Sequence, residues 1–395
     1  MNWGIFWAFR YKKAGWAKRR ISNQQAFRFL QFLSKMLFSR PAIAFPAIGL
    51  PVLALPKGSS SGSLQNAIDA VPGESPLFVN YPGKKTPLAK EYLRVIPAIG
   101  SGPTGEDDLL FQNLLAAEWA IYSFYQIGVE SFTSSNFTKL GWPNSTYERM
   151  VQIRDNEAGH VRIFQEQISN NSVKPGPCKY EYGFGGNPKS WLVLQTYLEV
   201  ASMAFLTGLS NQADLNVSKS ALMAIGQVES RHNAWSLIDV WNTSPFSGPS
   251  DTIYPYANQI LDLTNNFIVS DSCPSENPVY PSPRQNLPQI EFYSNGTTAR
   301  PGSDLQFAYK DPKNVPTFND DKEYWAVFYH GVQKESVRYN PKENRVKIPP
   351  FDLDSGIIIV NIAEEKGAPN EDSVVAGPLI ILEQPGILTK DISSV

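Results

Sequence analysis

Two of the chain's 3 histidines stand three places after a glutamate, in Glu157-x-x-His160 and Glu229-x-x-His232. Residues at i and i+3 share one face of an α-helix, so each Glu and His reaches toward a single point. Met150, Ile153, Val161, Phe164 and Ile168 form an apolar stripe at helical spacing, and Glu157 with His160 sits in its middle. A carboxylate on an inward face is costly unless it is paired or metal-bound. Two such motifs, with one carboxylate from each of two further helices, make a set that holds two metals inside a bundle. Glu118 and Glu199 are placed to complete it. Glu199 lies in the segment from Leu198 to Leu209, which carries no other charge.

The surrounding pattern predicts four long helices. The first runs from Glu106 to Glu130, with Phe111, Leu114, Glu118, Tyr122, Tyr125 and Val129 on one stripe. Its acidic start (Glu106, Asp107, Asp108) suits the positive end of the helix dipole. A polar loop from Ser131 to Asn144 follows, and Ser145-Thr-Tyr-Glu148 reads as a capping box opening the second helix. Arg149, Arg154, Asp155, Arg162 and Glu166 lie off its stripe and are expected in solvent. Asn187-Pro188 opens the third helix, with Leu192, Gln195, Glu199, Met203 and Leu206 aligned. The fourth runs from Ser218 to Trp241, and a short fifth from Tyr256 to Asn266. Short connections make antiparallel pairs of helices one and two and of three and four. The segment between helices two and three is long enough to return along the bundle, whose 24-residue helices would be about 36 Å long.

Beyond the prolines at 274, 278, 281, 283 and 288 the apolar period changes to two. The stretches 304–309, 324–329, 356–361 and 378–383 read as strands of a small antiparallel β-sandwich. His330 is a strand-end side chain with no assigned role. At the other end no acid precedes Asp69, whereas Arg10, Lys12, Lys13, Lys18, Arg19, Arg20, Arg28, Lys35 and Arg40 do. That reads as a targeting segment, with an apolar run from Ala42 to Leu55 and a cleavage site around Ala54. The expected division is a leader at 1–56 (with Met36 as an alternative start), a flexible lead-in at 57–104 with a short helix near 64–70, and a four-helix bundle at 105–272. A Pro-rich linker at 273–290 and a sandwich at 291–395 complete it.

With 35 basic and 37 acidic residues, no net charge steers the chain toward nucleic acid. The apolar run near the N-terminus is too short to span a bilayer. N-x-[ST] sequons at Asn136, Asn144, Asn170, Asn216, Asn242 and Asn295 favour secretion or a cell-wall location, with mitochondrial import the competing reading. The 2 cysteines, Cys178 and Cys273, are an even pair without close spacing. That suggests a disulfide over a zinc site, the alternative being two unpaired buried thiols.

Five stretches stand out between Glu106 and Pro288: Phe111-Gln-Asn-Leu-Leu-Ala-Ala-Glu-Trp119, Ile153-Arg-Asp-Asn-Glu-Ala-Gly-His160, Lys174-Pro-Gly-Pro-Cys-Lys-Tyr180, Ser202-Met-Ala-Phe-Leu-Thr-Gly208 and Cys273-Pro-Ser-Glu-Asn-Pro278. Through them the region resembles the secreted ferritin-like proteins of filamentous fungi, described as stress-response or sexual-development proteins. The resemblance implies a ferritin-like fold with a long crossover. It also implies metal ligands at Glu118, Glu157, His160, Glu199, Glu229 and His232.

Four carboxylates and two neutral imidazoles would balance two divalent cations. Oxygen-rich ligation with one imidazole per metal suits two iron ions, or alternatively manganese. The leading expectation is a di-iron or dimanganese oxidoreductase that reacts with dioxygen or peroxide, or oxidises iron as substrate. Tyr122 and Tyr125, on the site face, are read as hydrogen-bond partners, redox-active neighbours or plain core tyrosines. A storage cage does not suit a glycosylated chain with a C-terminal sandwich, and rubredoxin-fused peroxidases need four Cys that are not here. The alternative class is a non-catalytic extracellular or cell-wall protein with a structural metal, making cell-wall or homo-oligomeric contacts.

Overall fold

The structure, a computed structural model, describes residues 88–246, 248–278, 286–293, 300–353 and 356–383. The expected leader, the lead-in up to residue 87 with its short helix, the middle of the Pro-rich linker and the sequon at Asn295 lie outside the described residues. Six α-helices and seven strands are present among the described residues. The helices are α1 (Asp108–Ser131), α2 (Ser134–Thr138), α3 (Ser145–Gln167), α4 (Pro188–Leu209), α5 (Asn216–Trp235) and α6 (Ala257–Thr264).

The ends of the long helices fix their directions. Tyr147, near the start of α3, donates its hydroxyl to the Val129 carbonyl near the end of α1 (2.9 Å). Ser169, just past α3, donates its N–H to Asp108 at the start of α1 (2.8 Å). The two helices are therefore antiparallel. In the α4–α5 pair Thr196 meets Ser236 (2.6 Å), while Gly226 lies against Leu206, so these also run antiparallel. The Asn187 side chain accepts the N–H of Lys189 (2.9 Å), and Pro188 follows where no donor is needed. Helix α4 is long and apolar enough by length and composition to cross a bilayer, and most of it is buried in the interior.

The connection from α3 to α4 returns along the helices and is held at several points. Trp119 donates its indole N–H to Pro175 O (2.8 Å), and Tyr182 its hydroxyl to Ala120 O (2.5 Å). Cys178 is bonded to Cys273, across a sequence separation of 95. Lys174 pairs with Ile96, and Leu88 and Leu93 are buried.

Several local expectations are corrected. There is no capping box at Ser145: the N-cap is Asn144, already helical in backbone, and its side chain instead accepts the Ser134 hydroxyl (2.5 Å). The loop from Ser131 to Asn144 contains α2, where Thr133 donates its N–H to Asn136 Oδ1 (2.8 Å). The fourth helix stops as an α-helix at Trp235 and continues as one π-turn, Ser236–Val240. That turn sits where Ser236 and Trp241 both meet Thr196 Oγ1, the latter at 2.8 Å. Arg154 is buried rather than solvated, because Gln126 accepts from its guanidinium (2.8 Å).

The C-terminal region forms two antiparallel sheets: β1 (Ile290–Phe292), β2 (Asp304–Tyr309) and β5 (Arg345–Lys347) in order β1-β2-β5, and β3 (Tyr324–His330), β4 (Gln333–Tyr339), β6 (Gly356–Ala363) and β7 (Val374–Glu383) in order β4-β3-β6-β7. Side chains alternate across a strand, and the larger sheet is apolar on both faces. Val327, Tyr329, Ile359 and Ala363 share a core with the helices. Ala326, Phe328, Ile358 and Val360 share a second core with Leu305, Phe307 and Val346 of the smaller sheet. The sheet region is thus packed onto the helices. Two-sided burial accounts for the run Ile357-Ile-Ile-Val360, which a sheet with one wet face would not contain. His330 is buried at the end of β3 against Phe351, ring centroids 4.7 Å apart.

Candidate metal centre

All six candidate ligands come together in the helical interior: Glu118 from α1, Glu157 and His160 from α3, Glu199 from α4, Glu229 and His232 from α5. Each is almost wholly buried. They form two groups that share members: Glu118, Glu157, His160 and Glu229 in one, and Glu157, Glu199, Glu229 and His232 in the other. Glu157 sends Oε2 to His160 Nδ1 (2.9 Å) and Oε1 to His232 Nδ1 (3.1 Å). Glu229 does the same from the opposite side, with Oε1 3.1 Å from His160 Nδ1 and Oε2 3.7 Å from His232 Nδ1. Glu118 belongs to the His160 half (3.7 Å) and Glu199 to the His232 half (3.3 Å).

Helical geometry accounts for this. Glu and His three apart point the same way from α3 and α5, and the antiparallel pairs bring the two motifs level. Glu118 and Glu199 enter at the same level from α1 and α4.

The titration behaviour follows from crowding without water. Burial, then the Glu157 charge, holds Glu118 well above the usual carboxylate range, and burial pushes Glu199 up to about 8. For Glu157 burial and the Glu229 charge push up, but the two imidazoles outweigh them and the group lies below its ordinary value. Glu229 is lowered by the same balance: burial raises it and hydrogen bonds from His160 and His232 prevail. Both histidines are raised, since surrounding carboxylates overcome the burial that disfavours their charge. The raised histidines and the raised Glu118 and Glu199 thus offset the negative charge gathered here.

The donor set fits divalent metal better than it fits itself. Each Nδ1 carries at most one proton, yet three carboxylates approach each imidazole. Glu118 Oε1, Glu157 Oε1 and Glu229 Oε2 are buried with only the shared imidazole approaches already given and no well-directed hydrogen bond of their own. Lone pairs left over in this way are what a cation placed in each group would take up.

Neighbouring side chains bond to one half of the centre. Tyr125 donates its hydroxyl to Glu199 Oε1, and burial, then the Glu199 charge, keeps the phenol well above its ordinary pKa. Gln195 Nε2 donates to the Tyr125 oxygen (3.0 Å) and reaches Glu199 (3.5 Å). Asn156 Oδ1 lies 3.1 Å from His232 Nε2. Tyr122 is buried, edge-on to Trp119 with centroids 6.1 Å apart. Of these partners Asn156 and Gln195 were not foreseen. Gln195 left a signal, a polar residue on the apolar stripe one turn before Glu199. Asn156 left none, because it stands beside the stripe of α3 and its partner is 76 residues away.

Of the six sequon asparagines, Asn136, Asn144, Asn170, Asn216 and Asn242 are exposed. No curated protein matches the chain. Residues 106–237 match the sequence model of the ferritin-like domain family, a stretch containing all six ligand candidates, and the chain therefore carries a ferritin-like domain.

Proposed function

We propose that this domain holds two divalent metal ions, iron or alternatively manganese, and that the centre reacts with dioxygen or peroxide, with iron oxidation or stress defence as its role. The observation that carries the reading is the double reach of Glu157 and Glu229, each with one oxygen toward either imidazole. Two bound ions supply redox chemistry with oxygen species, for which two metals at close range are suited. The residues do the rest. Glu157 and Glu229 span both positions, Glu118 and Glu199 close one position each, and each histidine offers Nδ1. Burial excludes bulk water, and Tyr125 keeps its proton, held toward Glu199.

The Cys178–Cys273 bond and the exposed sequons support secretion, as does the resemblance to the fungal secreted proteins, since disulfides persist in oxidising compartments. Burial of all six ligands would equally serve a metal that only holds the core, in an extracellular or cell-wall protein without turnover. One experiment separates the two. Metal-replete protein is tested for oxidation of Fe²⁺ in air, and its manganese form for disproportionation of hydrogen peroxide, each against the free ion. Either reaction above background, suppressed in His160→Ala and His232→Ala, supports the oxidoreductase. Bound metal with neither reaction leaves the structural role. Wild-type metal content in both Glu157→Ala and Glu229→Ala removes the assignment of these ligands.

A further inference from the structure

We propose that a cleft between α4, α5 and the chain that follows α5 binds a small amphipathic amine, an apolar molecule carrying an ammonium group. None of the six ligand candidates lines this cleft, which is a site apart from the metal centre.

The cleft encloses about 770 Å³. Small-molecule sites typically enclose about 300–1,000 Å³, lined by apolar side chains with a few convergent polar groups. Leu206 from α4 and Leu222 from α5 are buried in its lining, and Met203 is half-buried beside them. Residues 248–253 form the facing wall, and two contacts hold that wall in place. Thr207 on α4 directs its hydroxyl at the Thr252 carbonyl (3.1 Å). Gly356, at the start of β6, approaches so closely that a Cβ there would stand 2.7 Å from Pro249. The left-handed backbone of Gly356 (φ 116°) suits glycine for the same position.

The polar groups of the cleft are short of donors. Thr207, Ser210 and Ser230 turn their hydroxyl hydrogens to helix carbonyls, those of Met203 (3.0 Å), Thr207 (2.8 Å) and Gln227 (3.0 Å). Their oxygens keep lone pairs and nothing to give. Asn233 is 8 % exposed, and its Oδ1 has no hydrogen-bond partner among the described residues. A buried amide in that state is costly until something pairs with it. Asp251 is the one charged side chain of the lining, and among the described residues no ion pair or hydrogen bond engages its carboxylate. No lysine, arginine or histidine lines the cleft. An anion would therefore meet Asp251 and no cation. An ammonium group brings positive charge and three donors with no acceptor to satisfy.

The rim calls for an apolar body. Met223 (64 % exposed), Phe246 (83 %) and Ile253 (44 %) stand in water around the opening. Contiguous exposed apolar side chains of this kind mark binding surfaces, and covering them is favourable. Asp251 thus supplies the charge, Asn233 and the hydroxyl oxygens the acceptors, and the leucines and methionines the apolar contact.

The test uses the full chain as purified and three probes of one length: n-octylamine, n-octanol and octanoate. Calorimetry gives the affinities, and methionine methyl resonances give the place, since Met203 and Met223 line the cleft while Met150 lies buried on α3. Octylamine is expected to shift Met203 and Met223 saturably and to leave Met150 unmoved. It should bind about tenfold more tightly than octanol, the size of one hydrogen bond to a charged group, and octanoate should bind least. Asp251→Asn should bring the amine to the level of the alcohol. A Cβ at Gly226 would meet only Leu206, at 3.9 Å, so Gly226→Leu places its side chain in the cleft and should weaken amine and alcohol alike. Asp251 carries no bond in the fold, so its variant decides even where Gly226→Leu does not fold. Octanoate binding as tightly as octylamine, an unchanged preference in Asp251→Asn, or no shift of Met203 and Met223 would overturn the proposal. Shifts of these two resonances with protein concentration alone would also overturn it, by showing that a second copy of the chain fills the cleft.

Discussion

The carboxylate of Asp107, just ahead of α1, accepts the backbone N–H of Leu215, just ahead of α5, at 3.1 Å. Its other oxygen takes the N–H of Asp214 at 2.8 Å. Leu215 is the N-cap of α5 and has no side-chain oxygen of its own, so a distant acid closes this helix start. Negative charge is favourable there for the same reason it was expected at α1. Asp107→Ala should destabilise the protein by about 1.5–3 kcal/mol, the range for hydrogen bonds to a charged group. Urea unfolding measures it, and an unchanged midpoint would show that the contact contributes nothing.

Asp107 and its neighbour Asp108 also set an acid limit. Burial pushes both upward, but Ser218, Asp214 and Leu215 around Asp107, and Ser169, Ser172 and Gly105 around Asp108, hold them below the ordinary value of 3.8. A depressed folded pKa stabilises above the unfolded value, and that contribution is lost as pH falls through the folded one. The melting temperature should therefore drop below pH about 4. The double change Asp107→Asn and Asp108→Asn should flatten this drop while lowering stability at pH 7. Equal slopes in both proteins would count against these two groups.

Reduction of Cys178–Cys273 releases a long closed loop, with a sequence separation of 95. The chain-entropy model gives about 4–5 kcal/mol for a loop of that size. Cys178→Ser with Cys273→Ser should lower unfolding stability accordingly and free the crossover beside α1. Protease sensitivity confined to residues 168–187 would locate the effect, and undiminished stability of the variant would contradict it.

Gly128 lets α1 approach α4. A Cβ there would stand 2.5 Å from the indole of Trp191, which stacks on Phe124 with ring centroids 4.6 Å apart. Helix propensity alone favours alanine over glycine. Overpacking should win: Gly128→Ala is expected to cost about 1–3 kcal/mol. A rise in melting temperature would show that Trp191 can move aside.

The sequence by itself determined the long helices, the six converging ligand candidates and the change to strand periodicity. Each rests on spacing within one element: Glu157 and His160 share a helix face because of their interval, whatever packs against it. Spacing also exposed Glu199 as a lone charge on an apolar helix. Tertiary structure decided what spacing cannot carry. Arg154 is buried because Gln126 waits on another helix, and the start of α5 is closed by an acid 108 residues earlier. Ser145 lost its capping role because the chain ahead of it is already helical. The second apolar face of the β3–β6 sheet had no visible partner until the helices were seen against it. Most telling is Asn156, adjacent to a ligand in sequence yet bonded to the histidine of the other motif. Such bonds join elements whose relative placement follows from burying the whole core at once, and no local pattern records it.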